Sequence, residues 1–167
     1  MQDEVQIRIA SNAEDLNAVR DLFVEYWTSF GFTPCFQGFE AEVADLPGKY
    51  ASPEGRLLVA TVDDEPAGCV ALRRFDANRG EMKRMYVRPK FRGKKLGEAL
   101  LKALIQESRD AGYAELIADT IPDAMPAALA MYEKAGFEQI SPYSEETPEA
   151  RHRSEEHTSK LQSHSFI

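Results

Sequence analysis

Apolar and polar positions repeat along this chain with two different periods, one typical of strands and one of helices. Alternation with a period of two over Val5 to Ile9 (VQIRI) predicts a first strand. Spacings of three and four residues follow and predict a helix to about Ser29, stopped by Gly31, with an apolar face of Leu16, Val19, Phe23, Trp27 and Phe30. Ser11 and Glu14 have the spacing of a capping box at its start.

The middle of the chain predicts a second, shorter helix and then three strands. The helix spans Gly38 to Leu46. The strands cover Arg56 to Val62, Ala67 to Phe75 and Gly80 to Val87. Because only short polar segments connect them, antiparallel pairing is predicted. The third of them has apolar residues on both faces, which indicates a central position in the sheet.

The second half of the chain alternates helices and strands. A helix is predicted over Lys95 to Ala111, a strand over Tyr113 to Asp119, a helix over Pro126 to Lys134 and a strand over Phe137 to Ile140. The strand at Gly80 to Val87 and the strand at Tyr113 to Asp119 flank a helix, which predicts one βαβ unit. The fold class expected from this order is a mixed α/β (α+β) domain.

Past Ile140 the pattern ends. The segment Arg153 to His164 (RSEEHTSKLQSH) closely resembles the conceptual translation of a standard DNA-sequencing adapter, with Lys160 where the usual translation has Glu. We therefore expect a single domain over residues 1–152, truncated at its C-terminus, and a non-native, disordered tail over residues 153–167.

Composition narrows the class of protein. The 167 residues carry a net charge of -8, which argues against a nucleic-acid partner. No run of eighteen apolar residues occurs and the N-terminus (MQDEVQIRIA) lacks the pattern of a signal peptide, so we expect a cytoplasmic protein with no membrane partner. Cys35 and Cys69 lack zinc-ligand spacing and are expected to be reduced, and no metal is expected.

One stretch departs from the acidity of the chain. Between Lys83 and Lys95 there are seven basic residues and no acidic one. The stretch ends in a turn, Arg92 to Gly97 (RGKKLG), that opens a helix, where unpaired backbone N–H groups and glycine suit a diphosphate. The turn is neither a P-loop nor a dinucleotide-binding fingerprint. A solvated basic face is the alternative.

Two blocks of the chain, MKRMYVRPKFRGKKLGEALLKALI and LAMYEKAGF, resemble the GCN5-related N-acetyltransferase (GNAT) superfamily. The [QR]xxGx[GA] signature falls on Arg92, Lys95 and Gly97, with Lys95 where the signature prefers glycine. A second departure is Met125, where many members have asparagine. The resemblance implies a mostly antiparallel sheet that splays between strands four and five, with helices on both faces. A final strand would close the sheet, and we expect it to be missing here and the chain to be unstable as written.

The resemblance also implies acetyl-CoA as the acetyl donor. Its pantetheine would pair with strand four and its diphosphate would contact the turn, which gives the binding residues Met85, Tyr86, Val87, Arg92, Gly93, Lys94, Lys95, Leu96 and Gly97. Lys95 is expected to keep its amide available through a negative φ. Lys90, Lys94 and Lys95 are candidates to neutralise the phosphates.

The same resemblance assigns chemistry to three positions. Glu81 is the candidate base for the acceptor amine, directly or through water, and an ion pair with Lys83 or Arg73 is its alternative role. A backbone N–H near Met85 or Tyr86 would hold the oxyanion. Tyr132 is the candidate acid for the departing thiolate, with helix packing as its alternative role.

The expected function is therefore transfer of the acetyl group of acetyl-CoA to a primary amine of a small molecule or amino-acid-like acceptor, by direct attack through a tetrahedral intermediate. Tyr26, Phe30 and Phe32 are candidates for the acceptor pocket, and the overall acidity favours a cationic amine. Two alternatives stay open: a protein or peptide N-acetyltransferase and a non-catalytic acyl-CoA-binding domain. A monomer or a homodimer is expected.

Overall fold

The computed structural model describes residues 3–29, 39–120, 126–140 and 159–163, with backbone alone for 119–120, 126–129, 139–140 and 159–163. Helices and strands occur in the order expected for a mixed α/β domain, and the bounds agree with prediction to within a few residues. In chain order they are β1 (Val5–Ile9), α1 (Ala13–Ser29), α2 (Phe39–Ala44), β2 (Arg56–Val62), β3 (Glu65–Arg74), β4 (Arg79–Val87), α3 (Leu96–Asp110), β5 (Glu115–Thr120), α4 (Pro126–Lys134), β6 (Phe137–Ile140) and β7 (Ser159–Ser163).

Local chemistry accounts for the ends of these elements. Helix α1 is capped by Asn12 rather than by the predicted Ser11, because Asn12 Oδ1 accepts the Asp15 N–H at 2.8 Å. The β2–β3 hairpin closes through Asp63 and Asp64, which both have positive φ, as a two-residue hairpin turn requires. Strand β3 therefore begins at Glu65, two residues before the predicted start. Gly31 and Gly38 lie outside the described residues.

The strands form one sheet in the order β1-β2-β3-β4-β5-β7-β6 across the described part of the chain. Antiparallel pairing joins β1 to β4 in sequence, and β4 pairs with β5 in parallel through the α3 crossover, which confirms the predicted βαβ unit and the central position of β4. The mixed α/β fold class is confirmed.

The expected gap at the end of the sheet is filled, so the prediction of a missing closing strand is wrong. Strand β7 lies between β5 and β6 and is antiparallel to both, with Ile117 and Glu138 each in register with Gln162. These residues belong to the adapter-like tail, which was expected to be disordered. Strand pairing uses backbone groups that every residue other than proline carries, so a sequence of low apolar content can occupy two unpaired edges.

A core packs against each face of the sheet. The α3 core joins β2, β3 and β4 to α3 through buried residues such as Leu58, Leu72, Leu100 and Leu104. The α1 core lies on the opposite face and includes Phe23 and Trp27. Consecutive residues of β2 alternate between the two cores, as the pleat of a strand requires. Cys69 is buried in the α1 core, where burial raises the pKa of its thiol and keeps it protonated.

Candidate active site

Strands β4 and β5 separate halfway along β4. Their parallel pairing runs from Arg79–Glu115 to Met82–Ala118, whereas β4 itself continues to Val87. The splay predicted between strands four and five is therefore present, and the second half of β4 turns one backbone edge toward an opening. This edge belongs to the segment in which Met85, Tyr86 and Val87 were predicted to meet the donor.

A β-bulge lies at the start of that opening. Lys83 is in register with Ala71 and Tyr86 with Cys69, so the single residue Val70 of β3 faces both Arg84 and Met85. Arg84 has a φ of 59°, the left-handed conformation that side chains other than glycine rarely adopt. The extra residue sends Met85 to the α3 core and Tyr86 to the α1 core. The bulge thus re-aims the backbone of β4 where the opening begins.

The turn from Arg92 to Gly97 places exposed amides at the start of α3. Gly93 has a φ of 83° and Lys95 a φ of 61°, so the expectation of a negative φ at Lys95 is wrong. This left-handed position explains the preference of the signature for glycine. No side chain caps α3, and its first N–H groups have no partner within the helix.

Gly97 adds space beside those amides. A Cβ built on Gly97 would lie 3.5 Å from Met131 Sδ, so α4 passes close to the first turn of α3. The glycine keeps this narrow space open between α3, α4 and the end of β4. Uncapped amides, a positive helix end and a missing side chain fit a diphosphate.

Most of the basic stretch is neutralised by acidic residues from other parts of the chain. Five of its seven members form ion pairs: Lys83 with Glu81, Arg84 with Glu42, Arg88 with Glu25, Lys90 with Glu65 and Lys94 with Asp3. Arg92 donates from Nε to the Val87 carbonyl at 2.9 Å and lies over the Tyr86 ring. The prediction of a basic patch reserved for phosphates is therefore too broad, and the exposed turn residues Arg92 and Lys95 are its best remaining candidates.

Arg84 lies in the α1 core rather than on a phosphate-binding surface. Its guanidinium is 4.7 Å from the centre of the Trp27 ring, and Nε donates to Glu42 Oε2 at 3.0 Å. Tyr50 Oη donates to the same carboxylate at 2.6 Å. Burial would raise the pKa of Glu42, but Arg84, Tyr50 and Lys49 together lower it to about 2. This ion pair fixes α2 against the bulge.

Glu81 lies on β4 in the paired half, one residue before the splay. Its side chain is 1% exposed and accepts a hydrogen bond from Arg73 Nε at 2.5 Å, with Lys83 Nζ at 3.9 Å. These are the two partners named for its structural role, and both are present. Catalysis by Glu81 stays a prediction.

Tyr132 lies on α4, one residue after Met131. It is 2% exposed, its ring centre is 5.6 Å from that of Phe137, and burial raises its pKa, with a further contribution from the nearby Tyr26. Tyr26 in turn packs edge to face on Tyr86, with ring centres 6.4 Å apart. Ring contacts therefore join α1 to the splayed end of β4 through Tyr26 and Tyr86, and α4 to β6 through Tyr132 and Phe137.

The remaining predicted pocket residues, Phe30 and Phe32, lie outside the described residues, as do Cys35 and Met125. Across the described ranges no cluster of three or more His, Cys, Asp or Glu side chains could hold a metal ion. Within the same ranges no helix is long and apolar enough to cross a membrane.

Comparison with known proteins agrees with this geometry. The profile of the Acetyltransferase (GNAT) family matches residues 16–137. An uncharacterized N-acetyltransferase of Schizosaccharomyces pombe is 38% identical over 141 residues, which cover 83% of this chain and 86% of the relative. This chain therefore belongs to the GNAT family of acetyltransferases, and it is an acyltransferase.

Solved structures show the same fold at low sequence identity. A GNAT-family acetyltransferase of Staphylococcus aureus superimposes with a TM-score of 0.76 at 18% identity, covering 96% of this chain and 98% of the other. The PaiA N-acetyltransferase of Thermoplasma acidophilum, solved in complex with coenzyme A, has a TM-score of 0.70 at 18% identity, covering 96% and 99%.

Sequence reasoning missed the group formed by Arg84, Glu42 and Tyr50. Arg84 was counted with the basic stretch because the sequence shows its charge but does not show the β-bulge that carries it. The only available signal was the apolar alternation of β4, in which Met82 and Met85 share a core although they are an odd number of residues apart.

Proposed function

We propose that this chain transfers the acetyl group of acetyl-CoA to the primary amine of a small, amino-acid-like acceptor. The single observation that carries the proposal is the opening between β4 and β5 beside the uncapped start of α3, with Tyr132 of α4 buried in the same core as Met85. The donor's diphosphate would meet the amides from Arg92 to Gly97, and its pantetheine would lie along Met85 to Val87.

The reaction needs three groups around the thioester. The amine nitrogen attacks the acetyl carbon, a C–N bond forms, the C–S bond breaks, and the thiolate leaves with a proton. A backbone N–H at Met85 or Tyr86, beside the bulge, is our candidate donor to the oxyanion. Tyr132 is our candidate donor to the thiolate, and its raised pKa supports a phenol that is protonated at neutral pH.

The attacking amine must also lose a proton. Glu81 remains our candidate, acting through water, since it lies on the strand that carries the oxyanion site. Its ion pairs with Arg73 and Lys83 hold this carboxylate in place on β4.

Thiol release from acetyl-CoA, measured over a panel of amines and amino acids, tests the proposal. We expect Tyr132→Phe to lower kcat by roughly a hundredfold, within the range of general acid catalysis, while the Kd for CoA stays unchanged. Tyr113→Phe is the matched control: Tyr113 Oη donates to the Glu54 carbonyl at 2.6 Å, and kcat should be unaffected.

If Tyr132→Phe keeps both kcat and CoA affinity, its role is packing. CoA binding without thiol release on any amine would instead support a non-catalytic acyl-CoA-binding domain, and turnover on peptides alone would support a peptide acetyltransferase.

A further inference from the structure

A group of four cations and two carboxylates lies on the face of β3 and β4 that packs against α1 and α2. The ion pairs within it are Lys49 with Glu42, Glu42 with Arg84, Arg73 with Glu81 and Glu81 with Lys83. Tyr50 lies against the first two of these pairs, where its Oη donates to Glu42 at 2.6 Å. Burial raises its pKa, and Arg84 and Arg73 oppose that rise. Positive charge therefore exceeds negative charge within this group, which we name the β4 cation group.

This local excess is opposite in sign to the chain as a whole. The net charge of the protein is -8, and that acidity favoured a cationic acceptor when the sequence was considered alone. Electrostatic attraction to a small molecule in a cleft depends on the charges that line it, because charges farther than about 10 Å are screened at ordinary ionic strength. Around β4 the described charges favour an anionic group.

Two of the cations can be reached from solvent beside the proposed transfer site. The side chain of Arg73 is 33% exposed and that of Lys83 is 16% exposed. Among the described residues, Arg73 makes its hydrogen bond through Nε alone, so its terminal nitrogens have donors to offer a ligand. The side chain of Arg84 is 14% exposed, but it differs from these two because its guanidinium lies over the Trp27 ring and donates to Glu42 through both Nε and Nη2.

The position of Lys83 limits the distance between the amine and the anionic group of the acceptor. Lys83 precedes Met85 by two residues, which is at most about 7 Å of backbone because the bulge at Arg84 lies between them, and Met85 begins the segment where the oxyanion donor is proposed. A small molecule that holds an amine and a carboxylate a few bonds apart spans that separation. An extended cationic amine would bring its charge toward Arg73 and Lys83 and would be repelled.

We propose that the acceptor of this enzyme carries a carboxylate beside its primary amine, and that Arg73 and Lys83 bind that carboxylate. The inference rests on the proposed acetyltransferase function and narrows its acceptor to amino acids. Arg73 and Lys83 are then specificity residues that orient the amine toward the thioester, since a bound carboxylate fixes the position of the nitrogen a few bonds away.

The test compares acceptors that differ by the carboxylate alone. Thiol release is measured for alanine and alaninamide and for β-alanine and β-alaninamide, with the full chain and acetyl-CoA. We expect the carboxylate member of at least one pair to have a kcat/KM at least roughly tenfold higher. In the variant Arg73→Gln/Lys83→Met the KM for that acceptor should rise at least roughly tenfold, with little change for its amide.

Two further variants control for structure. Arg73→Lys keeps a positive partner for the buried Glu81 and should retain part of the preference, so a folding defect in the double variant can be recognised. Lys102→Met removes an exposed charge from α3, away from the β4 cation group, and should leave the preference unchanged. Equal or better turnover of the amides by the wild type, or an equal loss for both members of each pair in the double variant, would overturn the proposal.

A binding measurement separates this inference from the proposed function. Succinate carries carboxylates and no amine, and in the presence of CoA it should raise the unfolding temperature of the wild type but not of Arg73→Gln/Lys83→Met. If no amine is acetylated, the proposed function fails, and the succinate measurement still decides on the anion site. Absence of succinate stabilisation in the wild type would count against the site even in an active enzyme.

Discussion

Lys95 has a left-handed backbone conformation, which glycine adopts more readily than any residue with a side chain. It stands at the position of the turn where the family signature prefers glycine. Its φ of 61° and ψ of 23° precede the first residue of α3. A side chain with a Cβ pays on the order of 1 kcal/mol for this conformation, while glycine adopts it without that strain. The signature position is thus filled at some cost in stability, and the amides of the turn keep the arrangement that the glycine would give.

Lys95→Gly is therefore expected to raise the free energy of unfolding by about 1 kcal/mol or less, since relief of strain outweighs the added freedom of the unfolded chain. Urea denaturation measures the change. Lys94→Gly is the matched control, because Lys94 is not among the residues with positive φ and its ion pair with Asp3 is lost, so this variant should be less stable. Destabilisation by Lys95→Gly would contradict the reading of Lys95 as a strained position.

At the residue scale, sequence-based prediction works for residues within a local motif and fails for partners that are distant in the chain. Gly97, Tyr132 and the bounds of α4 followed from local motifs, since a motif reports the elements on either side of it. The partners of the basic stretch did not, because Glu25, Glu42 and Glu65 are 20 or more residues away from the lysines and arginines they neutralise. A count of charges along the sequence therefore overestimated the unpaired positive charge around β4.

At the scale of elements, helix α2 is short and is attached to the sheet through one carboxylate. Of its six residues, Phe39 is buried, and Glu42 accepts hydrogen bonds from Arg84 of β4 and from Tyr50. The pKa of Glu42 is about 2 in the folded protein and 4.5 as its ordinary value. Stability from this group is therefore fully present above about pH 4.5 and is lost as the pH falls toward 2.

We expect Glu42→Gln to reduce the fall in the free energy of unfolding as the pH is lowered. The wild type should lose on the order of 3 kcal/mol more between pH 5.5 and pH 2 than the variant does, because the variant has no carboxylate to protonate at this site. The measurement is urea unfolding across that range. Glu98→Gln removes a half-exposed carboxylate of α3, whose Lys134 partner is 3.7 Å away, and should retain the wild-type slope. Parallel curves for the wild type and Glu42→Gln would show that the ion pair does not stabilise the folded protein.

Elements were predicted well where one period dominated and less well where the backbone departs from it. The bounds of β1, β2, α4 and β6 agree with prediction because their patterns end at glycine, proline or acidic turns. The bulge in β4 was not predicted, since an extra residue places apolar side chains at both odd and even positions, as in a central strand.

At the scale of the whole molecule, the sheet contains a strand that sequence composition does not predict. Strand β7, SKLQS, contains a single large apolar residue and yet lies between two strands, whereas interior strands are usually apolar on both faces. An unstable chain is expected only if β5 and β6 have open edges, and with β7 in place those edges are paired. We propose that residues 153–167 are non-native and that β7 nevertheless contributes to stability through its backbone.

Removal of residues 153–167 should therefore lower the unfolding temperature by several degrees, since a few backbone pairs are worth a few kcal/mol. Leu161→Pro, which removes one N–H donor from the middle of β7, should have a smaller effect in the same direction. Glu155→Pro lies before the strand and serves as the control. Identical melting of the full and shortened chains would mean that β7 does not form in solution.

The bulge at Arg84 has a consequence for any redesign of this protein. Because successive strand residues point to opposite faces, a regular strand with the same number of residues would exchange the two faces for everything that follows Lys83 on β4. Met85 would turn to the helix α1 side and Tyr86 to the helix α3 side, and Arg84 would lose its place over Trp27. Transplanted loops or chimeric joins in β4 must therefore keep the bulge between Lys83 and Tyr86, or omit the extra residue together with it, even where every substitution is conservative.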